Sequence, residues 1–153
     1  MSPFKYRLQK VFELRERKKQ EQERRVQHAL ALVRKIQQQR DAKMQERIAV
    51  VRHMQRVDPT MFEFHDRYLQ KLDQELQMIT SELHQAEAEL ATERQRLLQA
   101  QAELEALIKH KDKATEIWRE EQKQQEMKKL DEVANQRYFR QQQERDLEQN
   151  LLQ

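Results

Sequence analysis

From Leu69 to Trp118 a single apolar repeat holds its phase. Stepping alternately by three and four residues, its positions are Leu69, Leu72, Leu76, Ile79, Leu83, Ala86, Leu90, Glu93, Leu97, Ala100, Leu104, Leu107, Lys111, Ala114 and Trp118, and only Glu93 and Lys111 are polar. An α-helix repeats every 3.6 residues, so a stripe that recurs every 3.5 stays on one side only where the helix supercoils around a partner. The repeat predicts a coiled coil, and function has to come from what such a rod holds and what holds it.

Composition narrows the rest. The 153 residues include no Gly, no Cys and two Pro, and 37% are charged. Without glycine a fold with many tight turns is disfavoured, which leaves long helices joined by one or two connections. The apolar share of 37% is lean for a globular core but ample for a seam. Ala, Leu, Glu, Gln, Lys and Arg dominate, so helix propensity agrees with the repeat. Disorder is the competing reading of so polar a chain, and the leucine seam opposes it in the middle. No apolar run approaches the roughly 20 residues that cross a bilayer, and no apolar secretory leader opens the chain. A cytoplasmic protein is expected, and the lack of Cys agrees with a reducing compartment.

Read in order, residues from about 4 to 56 form a first helix. Its thinner stripe runs through Phe4, Leu8, Val11 and Phe12, then Val26, Ala29, Val33 and Ile36, then Met44, Ile48, Val51 and Met54. Between Arg15 and Arg25 the stripe fails, and that charged run reads as a solvated face. A connection falls at about 55–60, where Asp58 as cap with Pro59 at the first helical position gives one restart signal, and Thr60 with Glu63 gives a second. A second helix follows from about 61 to 150. Fully formed, the helices span roughly 80 Å and about 140 Å.

Folded back at Asp58, the chain sets Ile36 against Ile79, Val33 against Leu83, Ala29 against Ala86 and Val26 against Leu90, with Glu93 opposite Gln22 and one turn from Arg24 and Arg25. Charge favours this pairing. Residues 1–56 carry 16 Lys and Arg against 6 acids, and residues 57–112 carry 6 against 12. Two first helices side by side repel while the two halves of one chain attract, which favours a single antiparallel two-helix coiled-coil hairpin over a parallel dimer and leaves an antiparallel dimer open. From about Ala114 the second helix has no partner in the chain, so the C-terminal overhang is the part expected to bind something.

No catalytic constellation is visible: no Gly-rich phosphate loop, no cysteine nucleophile and no His-Glu-x-x-His pattern. The histidines at 28, 53, 65, 84 and 110 are scattered, and His84 with Glu87 reads as an exposed pair. A non-enzymatic protein without cofactor, metal or small-molecule substrate is expected. The basic first helix lacks aromatic interleaving and is partly neutralised by the second, which argues against nucleic acid as partner. The few aromatics gather at Phe4, Tyr6 and Phe12, at Phe62, Phe64 and Tyr68 beside the bend, and at Trp118, Tyr138 and Phe139. Phe62 reads as a packing residue. The others serve as docking anchors or as end-packing of the coil.

Two end motifs carry a resemblance. Phe4-Lys5-Tyr6-Arg7-Leu8-Gln9-Lys10-Val11-Phe12-Glu13-Leu14-Arg15 resembles the opening of the flagellar export protein FliJ family, and Glu126-Met127-Lys128-Lys129-Leu130-Asp131-Glu132-Val133-Ala134 resembles that family's Glu-x-Lys-x-Leu-Asp-Glu-x-Ala signature. The resemblance implies an antiparallel two-helix rod similar to the central stalk of rotary ATP synthases, working in the cytoplasmic part of the flagellar type III export apparatus at the inner membrane. It implies as partners the hexameric export ATPase, the transmembrane export gate protein and export chaperones. Tyr68 and Leu72 match the aromatic residue and leucine of the family's gate-contact patch, which continues with a small residue and a histidine where this chain has Glu75 and Ile79.

Together these readings assign Met1 to Arg25 and Ala114 to Gln153 to the ATPase ring, with Phe4, Tyr6, Leu8, Trp118, Leu130, Asp131, Glu132 and Tyr138 as contacts, and the bend end to the gate. The alternatives are a structural or adaptor coiled coil unrelated to secretion, as monomer or dimer, and the equivalent stalk of an injectisome. A hexameric ATPase encoded alongside would favour the export stalk.

Overall fold

The structure is a computed structural model that describes residues 2–152. Two α-helices, α1 (Gln9–Met54) and α2 (Phe62–Leu152), pack against each other as an all-α hairpin, joined through a 3-10 turn at Pro59–Met61. They belong to two compact units, one of residues 13–104 and one of the residues up to Phe12 with those from Glu105 on.

In the first unit the two helices run antiparallel. The predicted α2 positions from Leu69 to Leu104 are all buried or half-buried, and Leu72 is the most enclosed at 1% exposure. The four expected pairs fall in one apolar cluster that joins Val26, Ala29, Val33 and Ile36 to Ile79, Leu83, Ala86 and Leu90.

The α1 seam differs from the expected one. It keeps a strict four-three spacing through Arg15, Lys19, Gln22, Val26, Ala29, Val33, Ile36, Arg40, Lys43, Arg47, Val50 and Met54, every one of them buried or half-buried. The stripe therefore does not fail after Arg15. Arginine and lysine stand in seam positions, where their methylene stems cover apolar surface while the charged heads reach outward. The Arg15 guanidinium donates to the Glu103 carbonyl at 3.0 Å, Lys43 meets Glu75 at 2.8 Å and Arg47 meets Asp73 at 2.7 Å. Met44 and Ile48, expected on the stripe, are 45% and 43% exposed because Lys43 and Arg47 hold the phase instead.

The polar step in the α2 seam is met as the register requires. Gln22, the one buried polar residue among those described, donates from Nε2 to the Glu93 carbonyl at 3.0 Å and to its carboxylate. Arg24 and Arg25 do not serve Glu93. They lie 3.8 and 3.7 Å from Glu21, and Arg96 donates to Glu93 at 3.1 Å.

At the bend, the Asp58 carboxylate accepts from the Thr60 N–H at 3.2 Å with Pro59 in the first helical position, so the first restart signal is the one used. Glu63, the other half of the alternative cap, accepts from Arg67 at 3.1 Å. Phe62, expected to pack, is exposed.

In the second unit residues 2–6 are not helical, and α1 begins at Gln9 rather than near residue 4. Alternation explains the difference. Residues two apart lie on opposite sides of a helix, so a helical path would not let both Phe4 and Tyr6 face α2 as they do. Released from the roughly 1.5 Å rise of a helix, the segment reaches further along α2, from His110 at Tyr6 to Trp118 at Phe4. As a result Ala114, Thr115, Trp118 and Gln122 are half-buried, and the fully exposed stretch of α2 starts at Lys123 instead of Ala114.

Candidate functional site

No described helix is long and apolar enough to cross a membrane, and among the described residues no group of three or more His, Cys, Asp or Glu is placed to hold a metal ion. His84 and Glu87 are 4.0 Å apart on the surface. The residues singled out from the sequence fall into three groups.

The first lies beside the bend. Tyr68 is exposed, and its hydroxyl donates to the Glu46 carboxylate on α1. Glu46 also sits 3.5 Å from Lys43, which turns to Glu75. Leu72, one turn beyond Tyr68, is enclosed between the helices. The structure thus separates the pair: Tyr68 is presented at the surface, and Leu72 is buried in the seam. Met61, Phe62 and Phe64 are exposed next to the bend, and the His53 and His65 rings stand 5.3 Å apart across it. The Lys43–Glu46–Tyr68–Glu75 group escaped sequence reasoning because Lys43 and Glu46 look like ordinary charged face residues until the α1 phase is known.

Its electrostatics follow from its hydrogen bonds. Tyr68 holds the Glu46 carboxyl below its ordinary value of 4.5, and the same bond pushes the Tyr68 phenol above 10.0. The bond to Glu75 raises the Lys43 ammonium above 10.5. A lowered carboxyl stabilises the fold above the unfolded value and loses that contribution as the pH falls through the folded one; raised phenol and ammonium groups stabilise below their unfolded values and lose the contribution as the pH rises. The pairing beside the bend should therefore hold at neutral pH and loosen both in acid below 4.5 and in alkali above 10.0. Replacing Glu46 by Gln should bring the Tyr68 titration back toward its ordinary value, read by phenolate absorbance against a Tyr68→Phe reference. An unmoved titration would show that the bond does not form in solution.

The second group belongs to the unit that holds the start of the chain. Phe4, Tyr6, Leu8 and Trp118 are all half-buried. The Phe4 and Trp118 rings are 5.7 Å apart at 54°, and the Tyr6 hydroxyl shares a hydrogen bond with His110 Nδ1. Lys111 lies 4.6 Å over the Phe12 ring and 5.9 Å from that of Tyr6, and donates to Gln9 Oε1 at 3.1 Å. A lysine in the seam is thus tolerated because two aromatic faces and an amide receive it. His110 was not singled out from the sequence, and no pattern there would have marked it.

The third group, Leu130, Asp131, Glu132 and Tyr138, lies on α2 where every residue from Lys123 to Leu152 is exposed. The Tyr138 hydroxyl accepts from Gln142 at 3.2 Å. Met127, Leu130, Val133, Tyr138 and Phe139 put apolar surface on a helix that otherwise carries glutamine and mixed charge. Met1 and Gln153, the outer limits of the segments expected at the ATPase ring, lie outside the described residues.

A family model described as the flagellar FliJ protein matches residues 4–143. The chain belongs to the FliJ family. The match takes in both end motifs and all three groups of residues. No curated protein and no solved structure matches the chain. FliJ membership implies a role in flagellar protein export, and the all-α hairpin agrees with the rod that the end motifs imply.

Proposed function

We propose that this FliJ protein is the non-enzymatic stalk of the export apparatus: its exposed α2 segment enters the ring of the hexameric export ATPase, and its bend side meets the transmembrane export gate. The observation that carries the reading is the 30-residue stretch from Lys123 to Leu152, helical to its last described turn and exposed at every position. A polar helix of that length gains nothing from tertiary burial and is completed by another protein. Leu130, Asp131, Glu132 and Tyr138 are its proposed ring contacts, and mixed charge without a deep pocket lets it shift between equivalent subunits. At the other end Tyr68, held upright by Glu46, is the proposed gate contact, with Leu72 buried in the seam one turn beyond. Handling of export chaperones and a peripheral position at the cytoplasmic face of the inner membrane belong to the same reading. The family match favours it over an unrelated adaptor coiled coil and over an injectisome stalk.

The test compares the full chain with one ending at Gln122. The cut falls there because Trp118 still packs on Phe4. Stimulation of ATPase turnover should fall to the unstimulated rate while the helical circular dichroism per residue of the shortened chain stays high. Undiminished stimulation would overturn the ring contact.

A further inference from the structure

Ala114 and Trp118 on α2 continue the phase of the long apolar seam, the phase in which a second helix would pack, and Gln122 lies one residue past the next seam position, yet the segment that lies against Trp118 is not helical. Pro3 has no N–H to give, and the segment meets α2 through the Phe4–Trp118 ring pair, the ring and hydroxyl of Tyr6 against His110, and Lys111 at 5.9 Å from the Tyr6 ring. Phe4 and Trp118 are both half-buried where they meet. A face shaped by heptad spacing and covered by alternating aromatics is closed, but by a cover that does not match its period.

We propose that residues 3–8 form a displaceable strap that masks the Ala114–Gln122 face of α2, and that a helical segment of the ATPase ring takes the strap's place on binding. The inference rests on the ring contact proposed above and adds its regulation. Phe4 and Tyr6 are then a mask over the contact surface rather than part of it, so free chains keep Trp118 covered and the ring must compete for it. A partner that binds only the open form sees its affinity reduced by the fraction open, so a strap closed nine times in ten lowers it about tenfold.

The chain has one Trp and no Cys, which makes both states accessible to experiment. In the full chain Trp118 should emit at short wavelength and resist acrylamide. In the double variant Phe4→Ala with Tyr6→Ala its emission should move to the red, and the affinity for the export ATPase should rise about tenfold. A second chain with Tyr6→Cys and His110→Cys, joined by a short reducible bis-methanethiosulfonate linker because the two side chains meet only at their tips, should bind more weakly than wild type and recover on reduction. Weaker binding by the alanine variant would overturn the mask and make both rings direct contacts, leaving the ring reading intact. Equal affinities in the locked and released forms would also overturn it, as would a Trp118 equally open to quencher in wild type and variant. Failure of the wild-type chain to bind the ATPase at all would overturn the ring reading and the mask together.

Discussion

Replacing Leu72 by Ala should lower stability by about 2–4 kcal/mol, the largest single loss expected from the seam. Leu72 is the most enclosed large side chain of the fold, at 1% exposure, with the Arg47–Asp73 pair beside it. Removing its branched end forfeits the transfer free energy of those methyl groups and leaves a void that two stiff helices close only in part. The denaturation midpoint followed by helical circular dichroism should shift with little change in slope. Leu98→Ala, at an exposed position of the same helix, should stay within about 0.5 kcal/mol. A comparable loss at both sites would mean that the helices do not pack in this register. The result also governs how a Leu72 variant defective in export is interpreted: the primary lesion would be in folding, whereas Tyr68→Ala, on the surface, tests the proposed gate contact directly.

The second large effect should come from Gln22 and Glu93. Gln22→Leu leaves the Glu93 carboxylate, 19% exposed, with Arg96 as its remaining side-chain partner. A charged group stripped of a hydrogen bond in a half-dry seam costs about 1–3 kcal/mol. Gln22→Leu combined with Glu93→Leu should recover that loss and exceed the wild type, because two leucines complete the apolar seam without desolvating a charge. The gain in stability should come with a loss of discrimination, since a single polar layer penalises every alignment that does not bring its members together. Sedimentation of the double variant should show chains associating with one another where the wild type does not. Additive effects of the two substitutions would show that the residues do not interact.

The α2 seam was legible because leucine and alanine spell it out, and the charge imbalance between the halves pointed to the fold-back. The α1 seam was legible from Val26 to Ile36, at Gln22 through its place opposite Glu93, and again at Met54. On either side of that stretch Arg15, Lys19, Arg40, Lys43 and Arg47 occupy it, and a hydropathy pattern counts the charge at the tip of such a side chain rather than the methylenes beneath it. Met44 and Ile48 then offered a false continuation. The start of α1 was hidden for a different reason. Phe4 and Tyr6 obey a period of two that is too short to notice in four residues, and its meaning depends on Trp118, more than a hundred positions away. Tyr68 and Leu72 came as a pair from the family resemblance, and only burial distinguishes the one that a partner can reach.

The stretch of α2 from Lys123 to Leu152 also decouples foldability from identity. Since no described side chain there is enclosed, any helix-compatible replacement leaves the architecture alone. In a saturation screen, intolerance within that window would map contacts made with other molecules, whereas intolerance between Leu69 and Leu107 would mix recognition with assembly of the protein itself.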